Sequence, residues 1–169
     1  MYNKHMLIYL KNKSTLQFDD FYFKCAIGKK GITSKKVEGD KKTPKGIFEI
    51  ENIYYRKDRV KKPQTNLKCI EIKKNMGWSD DITNKKYYNK LIKTNKKIKH
   101  EKLFRSDHKY DCLIPIKYNF KKRIINKGSC IFIHLTKDYK PTAGCIALRK
   151  KDFLILIKLI KKNTKIKIN

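Results

Sequence analysis

The stretch 131–148, IFIHLTKDYKPTAGCIAL, constrains this chain more than any other. Two apolar runs, each strand-sized, flank a polar loop that contains Pro141 and Gly144. The first run, with Phe132, Ile133 and Leu135, is almost wholly apolar and reads as a strand buried on both faces. It carries one imidazole, His134, and the second run opens on one thiol, Cys145. Two adjacent strands joined by so short a loop bring these side chains together.

That juxtaposition has a chemical meaning. A thiol attacks as thiolate, and a neighbouring imidazole takes its proton, giving an ion pair that is reactive near neutral pH. Gly144 lets the backbone approach a substrate closely, and amides around Gly144 and Cys145 are placed to receive a developing oxyanion. Thr142 adds a hydroxyl beside the thiol. The competing reading is a small core thiol near a hydrogen-bonded structural histidine. The other cysteines, Cys25, Cys69, Cys112 and Cys130, lack a preceding glycine in a turn and read as core thiols. No CxxC pair or HExxH occurs, so no metal and no cofactor is expected. GKKGITSKK lacks phosphate-loop spacing.

The 169 residues suit a single domain spanning 1–169, and 40% apolar content suffices for one core. Aromatic alternation in FDDFYFKCAIG, and the runs MLIYL, LKCIEI and CLIPIKYNF, read as strands. GIFEIENIYY begins another. Residues 28–46 read as a long loop. KDFLILIKLIKK is the one helix, with Phe153, Leu156, Leu159 and Ile160 on one face and Asp152 near its start. TKIKIN alternates and is lysine-rich, as an edge strand would be. The fold class expected is mainly β, with a C-terminal helix and a long irregular middle region over 73–111.

Net charge is +29, which raises a nucleic-acid-binding module as an alternative. Only five of the 44 basic residues are arginine, although nucleic-acid readers favour it for bidentate contacts. The lysines are scattered through every loop, and lysine, isoleucine and asparagine are abundant together, as A/T-rich codons produce. The charge therefore predicts nonspecific attraction to polyanions rather than a reading surface.

GSCIFIHLTKDYKPTAGCIAL resembles the catalytic signature of the L,D-transpeptidase (YkuD-type) family: a strand-borne histidine, a loop, then Ser/Thr-x-Gly-Cys. AIGKKGITSKKVEGDKKTPKGIFEI is similar to the family's Thr-Pro-x-Gly-x-Phe stretch. GWSDDITNKKYYN and HEKLFRSDHKYD resemble the middle region of its proteobacterial single-domain branch. The likeness runs in order over about residues 22–168. It implies a β-sandwich-like catalytic domain acting on peptidoglycan stem peptides. Cys145 would be the nucleophile, His134 the base and Gly144 part of the oxyanion site. D-alanine would leave, and a second stem's amine would take the acyl group in cell-wall crosslinking; water as acceptor would make an L,D-carboxypeptidase. Carbapenems become candidate inhibitors, and a monomer is expected.

Three positions depart from the pattern. Ala143 and Ala147 stand where many relatives carry histidine and arginine, and Leu135 where many carry glycine. Arg56, Arg59 or a lysine would replace the substrate-binding arginine, and His108 or His100 the second imidazole. Trp78 is either a packing anchor or a substrate platform. The family's substrate implies the cell envelope or periplasm. The apolar run at the N-terminus, Met6 to Leu10, is shorter than the about 7–15 residues of a secretory core, so no signal peptide is read and a cytoplasmic location stays open. FLILIKLI is too short to span a bilayer.

Overall fold

In the computed structural model, residues 6–94 and 97–169 are described. The first five residues of the segment read for an export signal lie outside them. In chain order the chain opens with β1 (Leu7–Asn12), β2 (Thr15–Phe18) and β3 (Phe21–Ala26), an antiparallel meander. Alternation decides which face is buried: Ile8, Leu10, Leu16, Phe18 and Phe23 point inward while their neighbours face out. Two very short strands follow, β4 (Ile32–Thr33) and β5 (Thr43–Pro44), paired parallel within the stretch expected to be loop.

GIFEIENIYY forms two strands rather than one, β6 (Gly46–Glu49) and β7 (Ile53–Tyr55). Then come β8 (Cys69–Glu71), β9 (Met76–Ser79), β10 (Leu91–Lys93), β11 (His100–Lys102) and β12 (Cys112–Pro115). The chain ends with β13 (Phe132–Thr136), β14 (Ile146–Arg149), helix α1 (Lys150–Leu159) and β15 (Lys165–Ile168). Ten strands make one sheet in the order β6-β15-β1-β2-β3-β14-β13-β12-β7-β8. The mainly β class with one C-terminal helix holds.

The break in GIFEIENIYY explains the two-layered shape. β6 pairs with β15 at one end of the sheet, and β7 pairs with β12 near the other. Between them Ile50 bridges Ile116, the Glu51 amide donates to the Pro115 carbonyl, and Lys117 donates to Glu49. The sheet therefore folds back on itself. One continuous core takes Ile8, Leu16 and Ile166 from one half and Ile53, Ile114 and Ile133 from the other. Helix α1 closes it with Phe153, Leu156 and Ile157, all buried.

Two expectations change. TKIKIN lies inside the sheet, between β6 and β1, not at its edge. Its alternation correctly separates buried Ile166 and Ile168 from the lysines, but a face pattern says nothing about how many neighbours a strand has. The middle region carries a small second sheet, β10-β9-β11, between its irregular stretches. Those strands are only three or four residues long, too short for a periodicity to reveal them.

The segment after β4 is wedged tightly against the end of β3. A Cβ added at Gly28 would sit 2.6 Å from the Lys41 carbonyl oxygen and 2.9 Å from the Thr43 nitrogen. The nearest atoms are all backbone of residues 41–43, so no flexible side chain can give way. Gly28→Ala is expected to cost about 1–3 kcal/mol through overpacking, read as a lower urea midpoint at an unchanged slope.

Candidate active site

β13 and β14 are parallel neighbours, with Ile133 opposite Ile146 and His134 opposite Ala147. Parallel strands in one sheet are usually joined by a crossover of about a dozen residues or more. Here the link is residues 137–145. It is held by pairing with the end of β3: the Thr142 amide donates to the Ile27 carbonyl, and the Lys29 amide donates to the Thr142 carbonyl.

In-register partners on paired strands project to the same face and alternate residues share it, so His134, opposite Ala147, shares its face with Cys145, two residues before Ala147. Both side chains line one cleft of about 520 Å³. A larger cleft of about 980 Å³, beside Glu49, Asn52 and Lys117, contains neither thiol nor imidazole. Chemistry, not size, selects the first.

Burial governs the state of the pair. His134 is 6% exposed and Cys145 8%. The His134 Nδ1 lies 2.9 Å from the Leu135 carbonyl oxygen. A carbonyl only accepts, so Nδ1 carries the proton and Nε2 presents a lone pair. Desolvation lowers the imidazole pKa to about 4, against the opposing pull of that carbonyl. Desolvation also pushes the Cys145 thiol up to about 12, helped by the nearby Glu101 charge and opposed by the Phe132 amide and Lys36. These shifts favour a neutral thiol beside a neutral imidazole, not the ion pair expected from the sequence. The thiol donates to the Cys130 carbonyl at 3.2 Å and accepts from the Phe132 amide at 3.3 Å. Cys130 holds that carbonyl in place with a left-handed backbone, φ 55°, a conformation that costs a non-glycine residue about 1–3 kcal/mol.

The turn that leads into Cys145 is built around Gly144, whose φ is +144°. A Cβ there would lie 2.9 Å from the Lys42 carbonyl oxygen. Thr142 organises this turn: its hydroxyl donates to the Cys145 carbonyl at 2.6 Å and accepts from the Gly144 amide at 3.1 Å. The Gly144 amide, expected to be free for an oxyanion, is thus engaged at rest. Facing the turn, Glu38 accepts from Tyr88 at 2.5 Å and from Ser129 at 2.8 Å. Asp40 fixes the buried Lys36 and accepts from the Val37 and Lys42 amides.

The other candidates separate into two groups. His108 lines the cleft, and its Nε2 is buried without a partner. Asp80 Oδ1, also on the cleft wall, is the second such atom among the described residues. His100 instead lies on β11, its Nδ1 2.6 Å from the Ile98 carbonyl. Arg56 is 3% exposed, forked onto Asp58 and stacked 3.4 Å from the Phe104 ring centre, outside the cleft. Arg59 is spent on the Ser106 and Asp107 carbonyls and on Asp111. Trp78 is enclosed by Tyr54, Phe120 and Phe132 and donates to Asn89, which makes it a packing anchor.

The guanidinium that does line the cleft is Arg105, a residue the sequence reading passed over. Its Nε and Nη2 grip Asp107 at 2.9 and 2.6 Å, while its Nη1 lies 3.9 Å from Glu101. The signal was local: Arg105 sits two residues before an aspartate and beside HKYD.

The family model for the L,D-transpeptidase catalytic domain (YkuD) matches residues 2–168, nearly the whole chain. The chain belongs to the L,D-transpeptidase family. Its three ordered sequence segments converge in this L,D-transpeptidase fold on one cleft: the Glu38 and Asp40 loop, the His108 to Tyr110 strip, and the His134 to Cys145 unit. No curated protein and no solved structure matches the chain. No described helix of this family member is long and apolar enough to cross a membrane.

A thiol with so high a pKa is a poor nucleophile until a base takes its proton. Iodoacetamide should alkylate Cys145 about a hundredfold more slowly than free cysteine at pH 7, with the rate still climbing above pH 9. Peptide mapping by mass spectrometry measures this.

Proposed function

We propose that the protein catalyses cysteine-dependent acyl transfer on peptidoglycan stem peptides. The observation that carries this reading is the neutral imidazole and the thiol on one face of two parallel strands, inside one cleft. As the Cys145 sulfur attacks the carbonyl of the L-centre, His134 Nε2 takes the thiol proton, so charge separates only in the transition state. The Gly144 amide gives up the Thr142 hydroxyl for the oxyanion, which is the stronger acceptor. The imidazolium then returns its proton to the departing D-alanine amine. The acyl-enzyme passes to the amine of a second stem, forming a crosslink in the cell envelope; water as acceptor gives L,D-carboxypeptidase activity.

Substrate groups meet the wall atoms that the protein leaves unpaired. A buried polar atom without a partner costs about 1–3 kcal/mol, so Asp80 Oδ1 and His108 Nε2 are placed for ligand groups. Arg105, fixed by Asp107, offers its remaining edge to a substrate carboxylate.

Incubation with a tetrapeptide stem or a carbapenem should leave a covalent acyl adduct on Cys145 by mass spectrometry. Cys145→Ala and His134→Ala should release no D-alanine while remaining folded. Continued turnover by Cys145→Ala would sink the proposal. Arg105→Ala should raise KM about tenfold or more for a stem ending in a free carboxylate, and not for its C-terminal amide. An equal rise for both would assign the carboxylate elsewhere.

A further inference from the structure

The His134 imidazole has one backbone hydrogen bond to hold it, and that bond alone does not set the ring's plane. Rotation about the bond to the ring is broad and roughly two-fold, so a half-turn would put Cδ2 in the place of Nδ1 and Cε1 in the place of Nε2. A second contact restricts it. The Tyr110 ring meets the imidazole edge to face, with centres 5.4 Å apart and planes at 69°. Tyr110 is brought there by the strand-like contact of its own segment with β13, where the Leu135 amide donates to the Lys109 carbonyl.

Tyr110 is itself held from three other directions. Its ring packs edge to face on Phe132 at 5.7 Å, the Arg105 guanidinium covers it at 5.1 Å, and its hydroxyl donates to Glu101 on β11. The hydroxyl therefore points to Glu101 rather than to the imidazole, and it is not a proton relay. Its bond moors the ring to the second sheet. Tyr110 is 5% exposed and Glu101 only partly exposed, so the bond lies in the wall between the two sheets.

We propose that Tyr110, moored by Glu101, is a positioning residue that holds the His134 imidazole in the plane and tautomer that present Nε2 to Cys145. The kinetic part of this inference rests on the acyl-transfer reading; the geometric part does not. With the ring in place, the Leu135 carbonyl and the Tyr110 face select one of the two flipped imidazole states. Without it, both are populated and the base points away for part of the time.

The test pairs kinetics with nitrogen-15 NMR of labelled histidine in the substrate-free protein. Wild type should show His134 as a single Nδ1–H tautomer. In Tyr110→Leu the His134 signals should shift toward tautomer averaging, and kcat should fall about tenfold or more with KM within about twofold, because misaimed reacting groups are costly. Tyr110→Phe keeps the ring but loses the mooring, and should broaden the His134 signals with an intermediate loss of kcat. Glu101→Gln keeps an acceptor oxygen and should retain the wild-type tautomer. A folded Tyr110→Leu with wild-type signals and kcat would overturn the inference. If that variant does not fold, unchanged signals in Tyr110→Phe overturn it equally. If wild type shows no turnover of any stem peptide, the acyl-transfer reading fails, and the NMR comparison still decides the role of Tyr110.

Discussion

Everything at the cleft depends on the parallel pairing of β13 with β14. Register alone puts Phe132 beside Cys145 and His134 beside Ala147. A slip of one residue would turn the thiol to the opposite face. The pairing is protected by burial, since all of β13 is buried and its flanking strands cover both edges. It is also protected by the anchoring of Thr142 against β3, which leaves the short link little freedom. Core packing and catalytic geometry are therefore the same set of contacts.

Burial has a second effect, on charge. A chain with net charge +29 would be expected to surround a reactive thiol with cations and stabilise its thiolate. Lys36 does pull the Cys145 pKa down, but desolvation outweighs it, and Glu101 adds to the upward push. Lys36 is moreover half-cancelled by Asp40, its ion-pair partner. The surface charge and the cleft charge are thus decoupled: the lysines lie mostly in solvent, while the cleft pairs Arg105 and Lys36 with acidic neighbours. This arrangement leaves the thiol inert at rest.

His134 and Cys145 were legible because they lie close in sequence, on runs whose strand character is plain. The C-terminal helix was legible from its apolar face, although Ile157 replaces Leu159 among its buried residues. Arg105, Tyr110 and Glu101 were not, because Glu101 sits on a small sheet whose strands are too short to show a period, and only the fold brings it to Tyr110 and Tyr110 to His134. Arg56 and Arg59 looked eligible for the cleft because arginine is scarce. Yet Asp58 stands two residues from Arg56, and that local carboxylate captured its guanidinium. The same proximity of Asp107 anchors Arg105, so a nearby acid by itself does not separate the two cases; position relative to β13 does.

The two walls of the cleft have different origins. His134 and Cys145 belong to the large folded sheet and its link, whereas Glu101 lies on β11 and Asp80 directly follows β9. That unit shares no ladder with β13 and β14 and meets them through side chains such as Tyr110 and Phe132. Changes of length in it leave the β13–β14 register untouched. The exception is Glu101, which reaches from that unit to Tyr110 and to the charge balance at Cys145, so the two walls are mechanically separate yet electrostatically coupled.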